Sequence, residues 1–388
     1  MIYLDNNATT KASSTVVAAV THYLENCYAN ASANTAGYTG ADVPRRTAAG
    51  QLAHLLNAEE PDCFLFTSGA TESNNWIFSA LNGSRLRKVC ISAIEHPSVS
   101  EPAERLGRNG CELSVIPVNR DGIVCIETLA ELLSPDTQLV SVMAANNETG
   151  VVQPIEEIAQ LVRARCPTAL FHTDATQAIG RIPIDLQGSW AEVDLMSFSA
   201  HKFHGPKGIG GIYCRPGTAL LPWLVGGGQE AGLRSGTTNT PGLAGLAAAV
   251  GQIDVALYDE VRDRRDYFES QLRGVLSVQL HAANALRLPN TSCFSIAGTS
   301  GEEIADQLAA RGVIVGTGSA CSSGSLSPPK TLLAMGVNYT LAAGTIRVSL
   351  SRTTSIEELD RLVALLVEIV AVRGGSPQLP GGGTPPWR

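Results

Sequence analysis

Ser197-Phe198-Ser199-Ala200-His201-Lys202-Phe203-His204-Gly205-Pro206-Lys207-Gly208 is the stretch that decides this chain. Residues 195–198 read as a short apolar strand, and a lysine follows almost at once, wedged among serine, histidine and a Gly-Pro turn. Most lysines are solvated surface charges. One set at a strand end becomes a Schiff-base candidate when a buried acid and an anion site converge on it. Two upstream segments supply such groups. His172-Thr173-Asp174-Ala175-Thr176-Gln177 places a carboxylate after the strand Leu170-Phe171, at the sheet edge where open α/β folds bind ligands. Thr67-Ser68-Gly69-Ala70-Thr71-Glu72-Ser73 follows the strand Phe64-Leu65-Phe66 and opens a helix. Its free N–H groups and hydroxyls suit a phosphate. Taken singly, each segment is also what a capped helix start, a surface aspartate or an exposed lysine produces.

Further short apolar runs, Val89-Cys90-Ile91 and residues 139–144, alternate with a helix after Pro97 and an amphipathic helix over Ile155–Arg165. Strands separated by helices predict an α/β fold, a mostly parallel sheet flanked by helices. From about Leu243 the pattern changes. A long helix over 260–276, strands at 293–296 and 346–350, and helices at 302–310 and 357–372 predict a smaller α+β domain. The expected division is a large domain over 15–255 and a small one built from 1–14 and 256–373. Residues 374–388, rich in Gly and Pro, are expected to form a disordered tail.

Hydrophobic residues make up 44% of the 388, enough for a sizeable core, and the net charge is -8. That balance argues against direct nucleic-acid binding or a grip on an anionic membrane. No apolar run is long enough to span a bilayer. The first residues lack the basic and apolar regions of a signal peptide, so a cytoplasmic location is expected. Nine cysteines are scattered, with no Cys-x-x-Cys and no zinc spacing. Most are expected to be small buried hydrophobes. Cys321 differs, because it lies in a Gly- and Ser-dense stretch over 316–325, a poor helix or strand and a good mobile loop. A free thiol titrates near about 8.5 and needs little help to become a nucleophile.

The three segments, in this order, describe a pyridoxal phosphate site. Lys202 would be the Schiff-base lysine. Asp174 would pair with the protonated pyridine nitrogen and keep the ring an electron sink. Ala70 and Thr71, with Ser199 and His201, would hold the phosphate. Further motifs stand at Tyr3-Leu4-Asp5-Asn6-Asn7-Ala8-Thr9-Thr10, Glu95-His96, Asn146-Asn147-Glu148-Thr149-Gly150, Arg234-Ser235-Gly236-Thr237, Ser319-Ala320-Cys321-Ser322-Ser323 and Ile346-Arg347. With these the chain resembles the cysteine desulfurases of the iron–sulfur-cluster-assembly and nitrogen-fixation group, within the class V aminotransferase family of fold type I.

That resemblance implies that His96 stacks on the cofactor ring and moves protons, and that Asn147 and Gln177 hydrogen-bond the ring oxygen. It implies that Thr237 reaches the phosphate of the neighbouring subunit in a homodimer. It implies that Arg347, with Asn147 beside it, binds the substrate carboxylate as a bidentate fork. The implied activity converts L-cysteine to L-alanine, leaves the sulfur as a persulfide on Cys321 and passes it to a sulfur-acceptor protein. Other readings are a selenocysteine lyase, another class V C–S lyase or aminotransferase, and, of a different class, an inactive partner-binding scaffold. One stretch departs from the family pattern. Where relatives carry Asn-Pro-Ser-Ser and then His, residues 28–37 keep Asn30 and Ser32 but lack the proline, the second serine and the histidine.

Overall fold

A computed structural model describes residues 1–80, 88–318 and 328–372; Cys321 and the 374–388 tail lie outside the described residues. The described strands are β1 (Ile2–Tyr3), β2 (Phe64–Thr67), β3 (Lys88–Ser92), β4 (Glu112–Ile116), β5 (Thr137–Ser141), β6 (Leu170–Asp174), β7 (Leu195–Ser199), β8 (Gly210–Cys214), β9 (Gln279–Leu280), β10 (Thr291–Ser295), β11 (Val313–Ile314) and β12 (Thr345–Ser349).

Seven of them form the central sheet in the order β2-β8-β7-β6-β5-β3-β4. From β4 across to β7 every pairing is parallel, and only β8 runs antiparallel to its neighbours β7 and β2. The fold is therefore mixed α/β with a largely parallel sheet, as the alternation of strand and helix patterns predicts. Strands β2 and β7 are buried along their whole length, which is why they read as near-continuous apolar runs rather than alternating ones. The run over 139–144 ends as a strand at Ser141, yet Val142 and Ala144 still donate to the carbonyls of His172 and Asp174.

Strand β8 has no clear signature in the sequence because it opens on two glycines. Close packing demands the first of them. A Cβ at Gly210 would fall 2.3 Å from the Phe198 carbonyl oxygen and 2.7 Å from the Gly69 Cα. Gly210 lies in register with both Thr67 and Ser199. Its bare backbone lets the ends of β2 and β7 converge, although β8 separates them in the sheet.

Helix Thr240–Val250 also escaped the sequence reading. It is apolar on nearly every face and almost wholly buried, packing on helices Ser14–Glu25 and Val43–Leu55. Its periodicity is weak for that reason. A second apolar cluster gathers Leu4 with Phe268, Phe294, Ile346 and Leu362. It is backed by the antiparallel sheet β12-β10-β9 and by β1, which pairs with β11. The chain thus begins in this cluster and runs from there to the edge of the large sheet.

Candidate active site

The parallel strands place their C-terminal ends at one edge, and the turns that follow them carry the polar residues. Asp174 closes β6. Ser199 closes β7, and a single 3₁₀ turn over Ala200–Lys202 presents the lysine. Ala70 opens the helix Ala70–Ala80 directly after β2 and Gly69. His96 caps the helix Pro97–Arg108, accepting from the Ser98 amide at 3.1 Å, with Pro97 at a first-turn position whose N–H would go unused. Ligands bind at this edge in open α/β sheets.

A cavity of about 350 Å³ opens there, in the range of small-molecule sites. Of the residues singled out in the sequence, Ala70, Thr71, His96, Asn147, Asp174, Gln177, Ser199, His201, Lys202 and Arg347 all line it. Thr237 does not; it is exposed, on a loop tied to the helix start by Arg234, whose fork grips Glu72 at 2.8 and 3.1 Å. Cys321 lies outside the described residues, but Gly318, three positions before it, lines the cavity. The sequence reading assigned no role to Asn7, Ala8 or Thr176, which also line it. Asn7 and Ala8 belong to the Asn-Asn-Ala-Thr-Thr motif, and that motif was the available signal.

Lys202 Nζ donates to the carbonyls of Asn7 at 2.6 Å and Ala8 at 2.9 Å. Asp174 is 5% exposed. Its carboxylate accepts from Asn74 Nδ2 and from the Thr176 amide, each at 2.9 Å. Among the described residues no cation lies within ion-pair distance of it. A buried carboxylate without a counter-charge is costly, and a protonated pyridine nitrogen is a fitting partner. Ser199 Oγ accepts from the Ala70 amide at 2.7 Å, and Thr176 Oγ1 is buried without a partner. The donor set at this end therefore fits a phosphate-bearing cofactor.

Burial, reinforced by Lys202, Lys207 and Arg181, pushes His201 down to about 4. Its ring is neutral at pH 7 and can offer an anion a hydrogen bond but not an ion pair. Burial also lowers His96, with Asp174 opposing and Lys202 adding to the shift. The Gln177 side chain is engaged within the protein, donating to the Asn7 carbonyl at 2.9 Å and accepting from Arg181. Arg347 is 3% exposed. Its fork is occupied: one nitrogen meets Asp5 at 2.5 Å and another the Asn147 carbonyl at 3.0 Å, while Nε is buried without a partner. Gly316 makes room for it, since a Cβ there would come within 2.6 Å of the guanidinium.

Cys63, Cys90, Cys111, Cys166 and Cys293 are buried. Burial pushes Cys90 up to about 11, and Cys214 and Cys293 to about 12, so these three stay protonated at neutral pH.

Residues 2–362 match the family described as Aminotransferase class-V, and the chain belongs to that family. The relatives within it are more particular. The chain is 40% identical over 378 residues to a cysteine desulfurase of Nostoc sp. (strain PCC 7120 / SAG 25.82 / UTEX 2576), covering 95% of this chain and 93% of that one. It is 40% identical over 392 residues to the cysteine desulfurase NifS of Azotobacter vinelandii, covering 98% and 96%. A solved NifS-like protein superposes with a TM-score of 0.88 at 35% identity, covering 96% of this chain and 99% of the other.

Proposed function

We propose that this chain is a pyridoxal-phosphate-dependent cysteine desulfurase that converts L-cysteine to L-alanine and holds the released sulfur as a persulfide on Cys321. The observation that carries the reading is the convergence of Lys202, Asp174 and Arg347 on one cavity whose wall includes Gly318, just ahead of Cys321. The full-length similarity to cysteine desulfurases supports it.

Ala70, Thr71, Ser199 and His201 would hold the cofactor's phosphate, Asp174 its ring nitrogen, and Asn147 and Gln177 its ring oxygen. When bound, the cofactor supplies an electron sink for the carbon that loses a proton. The chain's own groups do the rest. Arg347 binds the substrate carboxylate, a task its planar fork suits, and Asp5 must yield or share the guanidinium as it does so. Lys202 Nζ takes the Cα proton. His96 Nδ1 is bonded to Ser98 Oγ at 2.8 Å, so Nε2 is the atom through which the neutral imidazole moves protons. The Cys321 thiolate attacks the substrate sulfur. An S–S bond forms, the Cβ–S bond breaks, its electron pair stays with Cβ, and protonation of Cβ together with return of a proton to Cα completes alanine.

The working form is read as a homodimer in which Thr237 serves the partner's phosphate site; its exposure and its absence from the cavity lining support this. A cytoplasmic location and a protein sulfur acceptor belong to the same reading. Among the described residues no single helix is long and apolar enough to cross a membrane. The two-domain division at 255/256 is likewise proposed, supported by the separate apolar cluster of Leu4 and residues beyond 258.

The test is product analysis. The cofactor-loaded chain, given L-cysteine, should release alanine, and mass spectrometry should find one added sulfur atom on the peptide containing Cys321. Pyruvate and free sulfide with an unmodified peptide would instead mark a lyase.

A further inference from the structure

Behind the cavity lies a guanidinium that the reaction above does not use. Arg181 is 3% exposed. One terminal nitrogen donates to the Gln177 carbonyl at 3.1 Å and to the Gln177 side-chain oxygen; the other donates to the Lys202 carbonyl at 3.1 Å and the Asn6 carbonyl at 3.4 Å. Its Nε is buried without a partner. Among the described residues no carboxylate lies within ion-pair distance of Arg181. Other deeply buried arginines have an acid: Arg287 has Glu269, Arg265 has Asp266 and Arg347 has Asp5. A buried cation held only by neutral groups carries a large desolvation cost. Gripping the N-terminal segment would not require it, because a neutral amide can also bond carbonyls.

The position of the charge gives it a use. Arg181 is bonded to the backbone of Lys202 itself, and its field reaches the neighbouring imidazoles of His201 and His204, adding to the effect of burial on both. A lysine beside another cation favours its neutral, nucleophilic form. We propose that Arg181 is a positioning residue acting through Lys202: it fixes the turn that presents this lysine and sets a permanent positive charge behind it, which holds the Lys202 amine toward its neutral form. The inference rests on the reading of Lys202 as the amine that bonds the cofactor. The charged and titratable groups facing the pair are Asp174 from β6, His96 after β3, His201 and Lys207 around the lysine, Tyr258 from helix Tyr258–Val275, and Arg347 from β12. Asp174 pulls the other way, and Asp5, paired with Arg347, offsets the charge of that arginine.

The experiment measures the amine directly in the full-length chain freed of cofactor. Amines are labelled competitively with acetic anhydride across a pH series, and the Lys202 peptide is quantified by mass spectrometry. The native midpoint should lie below the ordinary lysine value of about 10.4. Arg181→Gln should raise it by about one pH unit, while Arg181→Lys, which keeps the charge, should leave it near the native value. An ordinary native midpoint, or an Arg181→Gln midpoint equal to the native one, overturns the proposal. Should Arg181→Gln fail to fold, the native midpoint decides alone. Borohydride fixation of the cofactor on Lys202 in the native chain tests the underlying reading separately, because the labelling needs no cofactor.

Discussion

Asp5 and Arg347 are paired at 2.5 Å although 342 residues separate them in the chain. The pair belongs to a strap formed by the N-terminal segment. Asn6 and Asn7 bond to Ser349, and the carbonyls of Asn7 and Ala8 receive the Lys202 amine. The strap therefore touches both the lysine and the arginine of the proposed site. In it the Asp5 carboxylate stands where a substrate carboxylate is expected.

Asp5→Asn should destabilise the chain by about 3 kcal/mol, because a buried guanidinium would lose its counter-charge. Urea unfolding reads the loss. Excess L-cysteine or L-alanine should restore part of it, since a ligand carboxylate binds only the folded state. An unchanged urea midpoint would show that Asp5 is not the charge that Arg347 depends on.

Cys321→Ser separates cofactor chemistry from sulfur transfer. The variant should still bind pyridoxal phosphate and change its absorbance on adding cysteine, since Lys202 and Arg347 remain. Alanine release and the sulfur adduct should disappear, because a hydroxyl is a far weaker nucleophile than a thiolate at neutral pH. Lys202→Ala should fail earlier, at proton removal, and Arg347→Ala should chiefly raise KM. Wild-type alanine release from Cys321→Ser would sink the persulfide mechanism.

Hybrid dimers test the role of Thr237. An inactive Thr237→Ala chain assembled with an inactive Lys202→Ala chain creates one site free of both lesions if Thr237 serves the neighbouring subunit. Some activity should return, read as alanine formed per hybrid. If authenticated hybrids stay inactive, Thr237 acts within its own chain or has no part in the site.

The contribution of His172 to stability should be lost on mild acidification. His172 is buried, bonded to Ser141 Oγ at 2.9 Å and Ser197 Oγ at 3.2 Å, and burial pushes it down to about 4 from 6.5. Between those values the unfolded chain binds the proton and the folded chain does not. The stabilising contribution is thus whole above about 6.5 and is lost as the pH falls toward 4. His201 and His281, also at about 4, act in the same direction. Urea midpoints across this range should show a shallower slope for His172→Gln, by up to one proton. Equal slopes would mean that His172 is protonated in the folded chain.

Several residues of the proposed site were legible because their signal is local. Asp174 and Lys202 each stand within a few residues of an apolar run, and a polar residue after such a run marks the ligand-binding edge of a parallel sheet. The helix start at Ala70 is encoded the same way, by Gly69 and small hydroxyl residues after Phe64-Leu65-Phe66. Arg347 and His96 were reached only through the resemblance. A single arginine in a short strand, or a histidine before proline, has no distinctive pattern of its own.

The sequence by itself determined the α/β class, the order of the sheet-edge turns and the residues that populate them, because strand ends and helix starts are written in neighbouring residues. Only the tertiary structure decided that β8 enters antiparallel between β2 and β7, that Asn7 and Ala8 receive the lysine, and that Asp5 closes on Arg347. It also placed Arg181, which no sequence motif marks, against the backbone of Lys202. Each of these contacts joins side chains or backbones far apart in the chain. Their meeting depends on strand order and on how closely backbones can approach, which hydrophobic periodicity does not encode.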